Sequence, residues 1–309
     1  MNRRLHLSAG LAMLLSGMSA VAVVPARAAD PVCFECHDDF PKKMKAFKFT
    51  HDPAAAGDCT ACHLDHKEAE KLMLVREGAA LCYECHDNLA VGASVHPPVA
   101  EGKCTRCHNP HGSSNKKLLV AAGSALCEKC HPASPEMTGK VSHAALDDGC
   151  TGCHRPHASE NKRLLTKSLV MDRLALFDPK QAELCLGCHE LESFTKAESE
   201  ATGFRMGTLN LHALHLNGGA VPNKYGIIKK KDGQTCFACH LPHTAAQEKL
   251  LRTEYQCTGT FCYTMRFVQN GNGGTCVVGC HKPKVYSRVA QDSNATAAGA
   301  AAGEKPVAR

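Results

Sequence analysis

The chain has 309 residues, of which 20 are cysteine and 19 are histidine, while tryptophan is absent. Its formal net charge is +6, and aromatic residues make up only 5%, which is thin for a conventional packed core. A cysteine content this high argues against an ordinary cytosolic enzyme and leaves a disulfide scaffold, a metal protein or a haem protein.

The first 28 residues are predicted to be a signal peptide. Arg3 and Arg4 precede an apolar run over residues 7–24, and the small residues Ala26 and Ala28 predict cleavage after Ala28. A transmembrane anchor is the alternative, but the run is short for a membrane span and ends at a cleavage signal. We expect a mature protein without a transmembrane anchor that is periplasmic, outer-membrane-associated or secreted.

Beyond this segment the cysteines come in pairs, and eight pairs have the spacing Cys-x-x-Cys-His. They are Cys33/Cys36 with His37, Cys59/Cys62 with His63, Cys82/Cys85 with His86, Cys104/Cys107 with His108, Cys127/Cys130 with His131, Cys150/Cys153 with His154, Cys185/Cys188 with His189, and Cys236/Cys239 with His240. This is the attachment signature of c-type haem, because the two thiols reach both vinyl groups of one porphyrin and the histidine ligates its iron. Zinc also uses Cys-x-x-Cys pairs but requires no histidine after each pair. At least eight covalently attached haem c groups are therefore predicted.

A ninth group is irregular, with three residues between Cys276 and Cys280 before His281. A disulfide beside an unrelated histidine is the alternative to a ninth haem. The histidine count favours haem, because nine spare histidines remain besides His6 and the nine motif histidines that follow a cysteine pair. The spare histidines are His51, His66, His96, His111, His143, His157, His212, His215 and His243. Nine attachment sites and nine spare histidines match two histidine ligands at every iron.

The motifs recur in a repeat. Pairs beginning at Cys59, Cys104 and Cys150 lie 45 and 46 residues apart, each continues as Cys-x-x-Cys-His-x-x-His, and Cys236 begins a fourth. Each is followed by a Lys-Leu or Arg-Leu element and then by another pair, so one unit holds two motifs and two spare histidines. A histidine three residues after a motif histidine lies on the same side of its own haem. We therefore expect it to ligate a neighbouring haem, and we expect His212 or His215 to serve the closing motif.

This pattern resembles the doubled-CXXCH cytochromes, relatives of the class III multihaem cytochromes of bacteria that respire on metals and other external acceptors. The resemblance covers nearly the whole mature chain and includes residues 203–215 and 273–288. The family tolerates the three-residue spacing in its closing motif, which supports a ninth haem. The resemblance implies anaerobic respiration but does not identify the physiological partner. Redox proteins are the expected partners, and a periplasmic shuttle, a wire through an outer-membrane porin and a subunit of an extracellular filament with other multihaem cytochromes stay open as roles.

The expected fold is haem-organised, with mostly short α-helices and irregular coil, as in an elongated multihaem cytochrome c with little β-structure. Residues 29–170 are predicted to carry six haems and residues 171–289 three, with an insertion over 190–231 long enough for a helix and a basic loop, and residues 290–309 are predicted to be disordered. Cys257 and Cys262 are left over, and a disulfide closing a small hairpin is favoured over a tenth haem.

The predicted function is electron transfer and not catalysis, because two imidazoles hold a haem at low potential and occupy both axial positions. The alternative is a multihaem reductase for nitrite or another small oxyanion, which needs an iron with an open position. Lysine often replaces the motif histidine at such an iron, and the sequence contains no Cys-x-x-Cys-Lys. Nucleic acid is not an expected partner, because ionised haem propionates would outweigh the small positive charge.

Overall fold

The structure, a computed structural model, describes residues 31–64, 73–131, 137–217, 233–253, 256–258, 261–279 and 281–289. The predicted signal peptide, His66, Cys280, the basic loop at 229–231 and the predicted disordered tail lie outside these ranges. Every helix within the ranges is too short or too polar to cross a bilayer.

The helices are short, as the sequence predicts. Ten α-helices of four to seven residues occur in the described part: α1 Pro31–Cys36, α2 Phe40–Ala46, α3 Asp52–Ala56, α4 Ala79–Cys82, α5 Pro97–Ala100, α6 Ser124–Glu128, α7 Glu183–Leu186, α8 Glu192–Thr195, α9 Leu211–Leu216 and α10 Cys236–Cys239. Five 3₁₀ turns add Cys59–Ala61, Cys104–Arg106, Ala144–Asp148, Cys150–Gly152 and Pro179–Gln181. Proline in the first turn starts α2, α3 and α5, where its missing N–H has no helical partner to lose. Gly57 ends α3 with a φ of 73°, a conformation that favours glycine.

The strands are shorter still, and all of their pairings are antiparallel. The described part contains β1 Phe49–Thr50, β2 Ser94–Val95, β3 Gly112–Ser113, β4 Val141–Ser142, β5 Ala158–Ser159, β6 Arg205–Met206, β7 Leu209–Asn210, β8 Thr244–Ala245, β9 Gln256–Thr258, β10 Phe261–Tyr263, β11 Met265–Asn270, β12 Gly273–Val278 and β13 Lys284–Ser287. Five separate pairs are β1–β3, β2–β5, β4–β8, β6–β7 and β9–β10, and one three-stranded sheet has the order β11–β12–β13. The fold is therefore mixed, with short helices and small antiparallel ladders.

Three of these ladders join successive units of the repeat. The strand before the first motif of one unit pairs with the strand just after the first motif of the next, as Thr50 does with Gly112, Val95 with Ala158 and Ser142 with Thr244. Each ladder lies beside two spare histidines, because His51, His96 and His143 directly follow β1, β2 and β4.

Three tight turns follow the first motifs at Lys116–Leu118, Lys162–Leu164 and Glu248–Leu250. In each, two consecutive residues other than glycine have φ between 55° and 59°: Lys117 and Leu118, Arg163 and Leu164, and Lys249 and Leu250. In the described part these six are the non-glycine residues with positive φ. We call them the left-handed turns. Each left-handed residue costs about 1–2 kcal/mol relative to a right-handed one, so other contacts must hold these turns in place.

Buried apolar side chains are few and unevenly distributed. In the described part they are Leu165, Ala182, Leu211, Ala213, Leu216, Ala238, Ala245, Met265 and Tyr286. Seven of these nine lie after residue 210, where α9 and the β11–β13 sheet provide a small conventional core. The repeat units before it have almost none in their described residues.

The ninth motif begins in the three-stranded sheet and not in a helical turn. Cys276 lies in β12 with extended backbone, paired with Phe267 of β11 and Lys284 of β13. The β-branched Val277 and Val278 that follow it favour a strand over a helical turn. The ninth cysteine pair therefore begins on a different local structure from the eight regular ones.

The predicted hairpin at the two remaining cysteines is present in the backbone. Strands β9 and β10 pair with Cys257 directly opposite Cys262. Directly opposed residues in an antiparallel pair have Cα atoms about 4.5–5.5 Å apart, within the range that a disulfide spans. The disulfide itself stays a prediction.

Candidate functional site

The eight regular motifs share one backbone turn. In each of them the N–H of the motif histidine donates to the carbonyl of the first cysteine, with N···O distances of 2.9–3.0 Å. The donors are His37, His63, His86, His108, His131, His154, His189 and His240. In six motifs the first cysteine lies in a short helix or 3₁₀ turn, and α1 and α10 span both cysteines of the other two. This closed turn brings two thiols and one imidazole together, as attachment of one porphyrin requires.

Seven motif histidines each lie opposite one spare histidine. The ring centroids are 6.0–6.5 Å apart and the ring planes differ by 7–28°. The pairs, with the motif histidine first, are His63 with His111, His86 with His51, His108 with His157, His131 with His96, His154 with His243, His189 with His143, and His240 with His212.

This spacing fits one metal ion between two imidazoles. A metal–imidazole bond is about 2.0–2.1 Å long and the ring centroid lies about 1.1 Å beyond the bonded nitrogen, which places two opposed centroids about 6.3 Å apart. Rings in direct van der Waals contact would stack much closer. The seven distances therefore match the separation that a bis-histidine haem iron requires.

Hydrogen bonds fix the orientation of three motif histidines. The Nδ1 atoms of His108, His154 and His240 lie 2.8, 3.0 and 2.8 Å from the carbonyl oxygens of Lys117, Arg163 and Lys249, respectively. A carbonyl only accepts, so each Nδ1 carries the proton and leaves the Nε2 lone pair to bind a metal. The left-handed turns, which sequence reasoning noticed only as recurring Lys-Leu and Arg-Leu elements, supply these acceptors.

The same arrangement recurs among the spare histidines. Nδ1 of His51 donates to the carbonyl of Pro110 at 2.9 Å, and Nδ1 of His96 donates to that of Pro156 at 3.0 Å. Both prolines stand within the His-x-x-His segment of the next unit. The carbonyl of Leu211 accepts from Nδ1 of His215 in the same way, at 2.6 Å.

The strand ladders deliver the spare histidines in a regular order. In the first ladder the N–H of His51 donates to the carbonyl of His111 at 2.9 Å, yet the two rings lie opposite different motif histidines, His86 and His63. The second and third ladders repeat this arrangement with His96 and His157, and with His143 and His243. Each of the units beginning at Cys59, Cys104 and Cys150 therefore receives one histidine from its own start and one from the unit that follows. The sequence predicted a neighbour for the His-x-x-His histidine but not this pairing rule.

The attachment cysteines of consecutive motifs are close neighbours. The thiols of Cys82 and Cys104 share a hydrogen bond, and burial together with Cys104 raises the pKa of Cys82 to about 11. Cys127 with Cys150 and Cys185 with Cys236 repeat this contact between units. Within units the electrostatic neighbours are Cys62 with Cys85, Cys107 with Cys127, and Cys153 with Cys188. Consecutive motifs from Cys59 to Cys236 are thus adjacent in space, in the order of the sequence.

The two cysteines of a motif differ in exposure, a distinction that the sequence did not predict. The first cysteine of every regular motif is half-buried, whereas the second is exposed in four motifs, at Cys36, Cys85, Cys130 and Cys188. Cys130 lies two residues beyond the end of α6, and its N–H donates to the carbonyl of Cys127 at 3.1 Å. Cys127 has both Cys107 and Cys150 as neighbours, so it is the cysteine of this motif that packs between units, while Cys130 faces solvent. Attachment of haem through Cys130 stays a prediction from the motif spacing.

Helix α9 positions the last two spare histidines. The Asn210 side chain is fully buried and caps α9 by accepting from the N–H groups of His212 and Ala213. Its amide also donates to the carbonyls of Ser193 and Lys196, at 3.0 and 2.9 Å. Asn210 is thus a positioning residue that sequence reasoning did not single out, although an asparagine just before a short helix is a recognisable capping signal.

His212 and His240 form a ring pair in which both imidazoles are largely buried. Burial above all, and then the neighbouring His240 and His215, lowers the pKa of His212 to about 4, so its imidazole is neutral, the state that binds metal. Its Nδ1 lies 2.9 Å from Oγ1 of Thr202, a hydroxyl where the other acceptors are carbonyls. Since Thr202 Oγ1 also accepts from the N–H of Phe204, the hydroxyl is held in place beside the ring.

The sequence did not decide whether His212 or His215 serves the closing motif, and in the structure the two histidines lie beside different motif histidines. His212 lies against His240, whereas His215 is an electrostatic neighbour of His281. Phe204 packs between them, with ring centroids 5.2 Å from His212 and 5.5 Å from His215. The edge of Phe204 also meets Tyr286 of β13, which closes this end of the site.

Two predicted site residues, His66 and Cys280, lie outside the described residues. His37 belongs to a motif turn like the others. Fourteen of the other predicted histidines lie in the seven ring pairs, and the remaining two, His215 and His281, are electrostatic neighbours. Lys282 accepts from Nδ1 of His281 through its carbonyl at 2.7 Å.

Comparison with known protein families gives three matches to one description, the doubled CXXCH motif. The matched segments are residues 51–91, 96–136 and 143–193, which begin at the spare histidines His51, His96 and His143. No curated protein matches the chain.

Proposed function

We propose that this chain, which belongs to the doubled-CXXCH family of multihaem c-type cytochromes, is an electron carrier with about nine haems, each closed by two histidines. The doubled motifs bind haem c covalently. The single observation that supports the finer proposal is the set of seven ring pairs at 6.0–6.5 Å, each joining one motif histidine to one spare histidine.

The proposed ligand set follows these pairs. Seven irons take the histidines already paired, and His281 with His215 takes the eighth. By count His37 and His66 remain, and the pairing rule agrees, because each His-x-x-His histidine serves an earlier motif. The cysteines of all nine motifs, including the exposed Cys130 and the closing Cys276 and Cys280, supply the thioether bonds.

Haem c in this setting supplies one reversible electron at each iron at low potential. The protein's residues do the rest. The two histidines of each pair would both ligate the iron, so an oxyanion or other small substrate would find no open coordination site. The adjacent thiols of consecutive motifs hold the attachment points close, which suits transfer between neighbours. We therefore propose a carrier and not a reductase.

We further propose that the protein works in the periplasm, free or associated with an outer-membrane porin, and exchanges electrons with other redox proteins. Support comes from the haem attachment motifs and the predicted signal peptide. Small transient interfaces are typical of such redox encounters.

Haem number and ligation are tested together. Intact mass of the purified protein is expected to show nine haems, and a Cys276→Ser/Cys280→Ser variant to show eight. When carbon monoxide is added to the reduced protein, we expect it to bind to none of the haems. Fast binding at one haem would contradict the carrier proposal, and eight haems in the unaltered protein would remove the ninth site.

The ligand pairing has its own test. His157→Ala is expected to create one haem that binds carbon monoxide. Adding Cys104→Ser/Cys107→Ser should remove that haem and the binding with it, whereas Cys127→Ser/Cys130→Ser should leave the binding intact. The reverse result would show that His157 serves the motif at Cys127 and not the motif at Cys104.

A further inference from the structure

Each left-handed turn presents one carbonyl to one motif histidine. The accepting residue in all three cases is the first of the two left-handed residues: Lys117, Arg163 and Lys249. The turn also closes on itself, because the residue after each left-handed pair donates its N–H back three residues, at 3.3–3.4 Å. Two central residues with positive φ are the signature of a type I′ turn, which normally uses asparagine and glycine.

The turns are held by contacts that repeat between units. The Leu119 carbonyl accepts from Oγ of Ser113 and from the side-chain amide of Asn115. In the next unit Leu165 receives the same two bonds from Ser159 and Asn161. Backbone bonds then tie the turn to its motif, for example from the N–H of Asn109 to the carbonyl of Leu118 at 2.8 Å. The backbone bond recurs in all three copies, and the two side-chain bonds recur in the copies at Lys117 and Arg163.

The flanking strands alone do not explain this strain. A type I′ turn suits a long hairpin because its twist matches the strands. Here the flanking pairing is a single bridge, between His108 and Leu119 or their counterparts. Residues that avoid positive φ are nonetheless kept there three times, and each time the carbonyl meets Nδ1. A strained conformation that recurs at one contact points to a role for that contact.

We propose that the left-handed turns at Lys117, Arg163 and Lys249 are positioning elements that hold the Nδ1 proton of His108, His154 and His240 and thereby lower the reduction potential of the iron each histidine binds. This rests on the proposed bis-histidine function. A carbonyl that accepts from Nδ1 makes the imidazole a stronger electron donor and favours the oxidised iron. The basic side chains at these positions are not required for this role, because the acceptor is the backbone.

Arg163 offers the sharpest test, since its unit is flanked by repeats on both sides. Arg163→Pro fixes φ near −65° and abolishes the left-handed turn, whereas Arg163→Gly keeps positive φ without strain. Arg163→Val disfavours the turn with a smaller perturbation and serves if the proline variant loses haem. Haem number by intact mass is checked first in each full-length variant.

Two readouts are measured on the loaded protein. In histidine labelled with ¹⁵N, the reduced Arg163→Pro or Arg163→Val protein is expected to show one Nδ1 proton exchanging at least tenfold faster. A spectroelectrochemical titration should show one haem shifted to higher potential and the others unchanged. Arg163→Gly should match the unaltered protein in both.

Unchanged proton exchange in both strained variants would overturn the positioning role. Faster exchange with no shift in potential would overturn the tuning role. An equal shift in the glycine variant would assign the effect to the arginine side chain. Failure of the proposed function is seen separately, as carbon monoxide binding to the unaltered protein.

Discussion

The repeat units and the closing region solve the same problem by different means. In the units beginning at Cys59, Cys104 and Cys150, spare histidines come from two-residue strand ladders between neighbours. In the closing region one helix, α9, carries both His212 and His215, and a small apolar core supports it. The ladders need a following unit, while α9 needs none. The contrast shows how a repeating scheme of borrowed ligands is terminated.

The largest expected effect lies at the support of α9. Asn210→Ala removes the cap and leaves the carbonyls of Ser193 and Lys196 without their donor, at a cost of about 3 kcal/mol in the free energy of unfolding. Denaturant unfolding followed by circular dichroism measures it. The matched change in the repeat, Asn115→Ala, loses one bond and should cost about 1 kcal/mol. If Asn210→Ala and Asn115→Ala lowered the free energy of unfolding equally, the closing region would not depend on its cap more than the repeat depends on Asn115.

A steric change probes the ladders. At Gly112 a Cβ atom would lie 2.5 Å from the Phe47 ring and 2.9 Å from the Phe49 carbonyl oxygen. Gly112→Ala is expected to destabilise the protein by about 2 kcal/mol and to loosen the His51 and His111 pairs. Carbon monoxide binding at partial occupancy would report the loosening. The control is Ala158→Gly at the equivalent place in the next ladder. If Gly112→Ala changed neither stability nor carbon monoxide binding, the first ladder would not be needed to hold His51 and His111.

Acid should act on the closing region through His212. Its pKa is lowered to about 4 by burial first, so between pH 6.5 and 4 the unfolded chain binds a proton that the folded chain does not. The contribution of His212 to stability is therefore constant above pH 6.5 and falls as the pH drops toward 4, by at most about 1.4 kcal/mol per pH unit. Unfolding midpoints measured across this range test it. His212→Met, which keeps an axial ligand that does not titrate, should flatten the slope, and an increase in stability toward pH 4 would contradict the prediction.

The smallest effect belongs to a surface ion pair on α8. Lys196 and Glu192 pair one helical turn apart with 59% and 70% of their side chains exposed. Glu192→Gln should cost about 0.3 kcal/mol and less at high salt. Lys43 and Asp39 form a comparable pair on α2 for reference. A loss above about 1 kcal/mol would mean that α8 supports α9 through this pair.

Much of the site could be predicted from the sequence, because covalent attachment forces a fixed spacing of cysteine and histidine. The number of histidines outside the motifs predicted a second ligand for each haem. The repeat predicted that the second histidine of a His-x-x-His segment binds a neighbouring haem. The pairing needed structure, since the ladder partners Thr50 and Gly112 are 62 positions apart and carry no distinctive pattern. The left-handed turns were hidden because Lys117 and Leu118 have side chains that disfavour such a backbone. At Cys276 local strand preference prevailed over the helical turn of the other motifs.

The ladders also set an order of assembly. A chain synthesised from its N-terminus presents His51 early, but the unit that His51 opens stays incomplete until His111 has followed. The second unit waits in the same way for His157, 46 residues after His111, and the third unit waits for His243, a further 86 residues along, so none of these units is complete alone. Helix α9 emerges before His243 and carries both His212 and His215. A nascent chain that stops before His243 would therefore leave His154, in the unit beginning at Cys150, without its paired histidine.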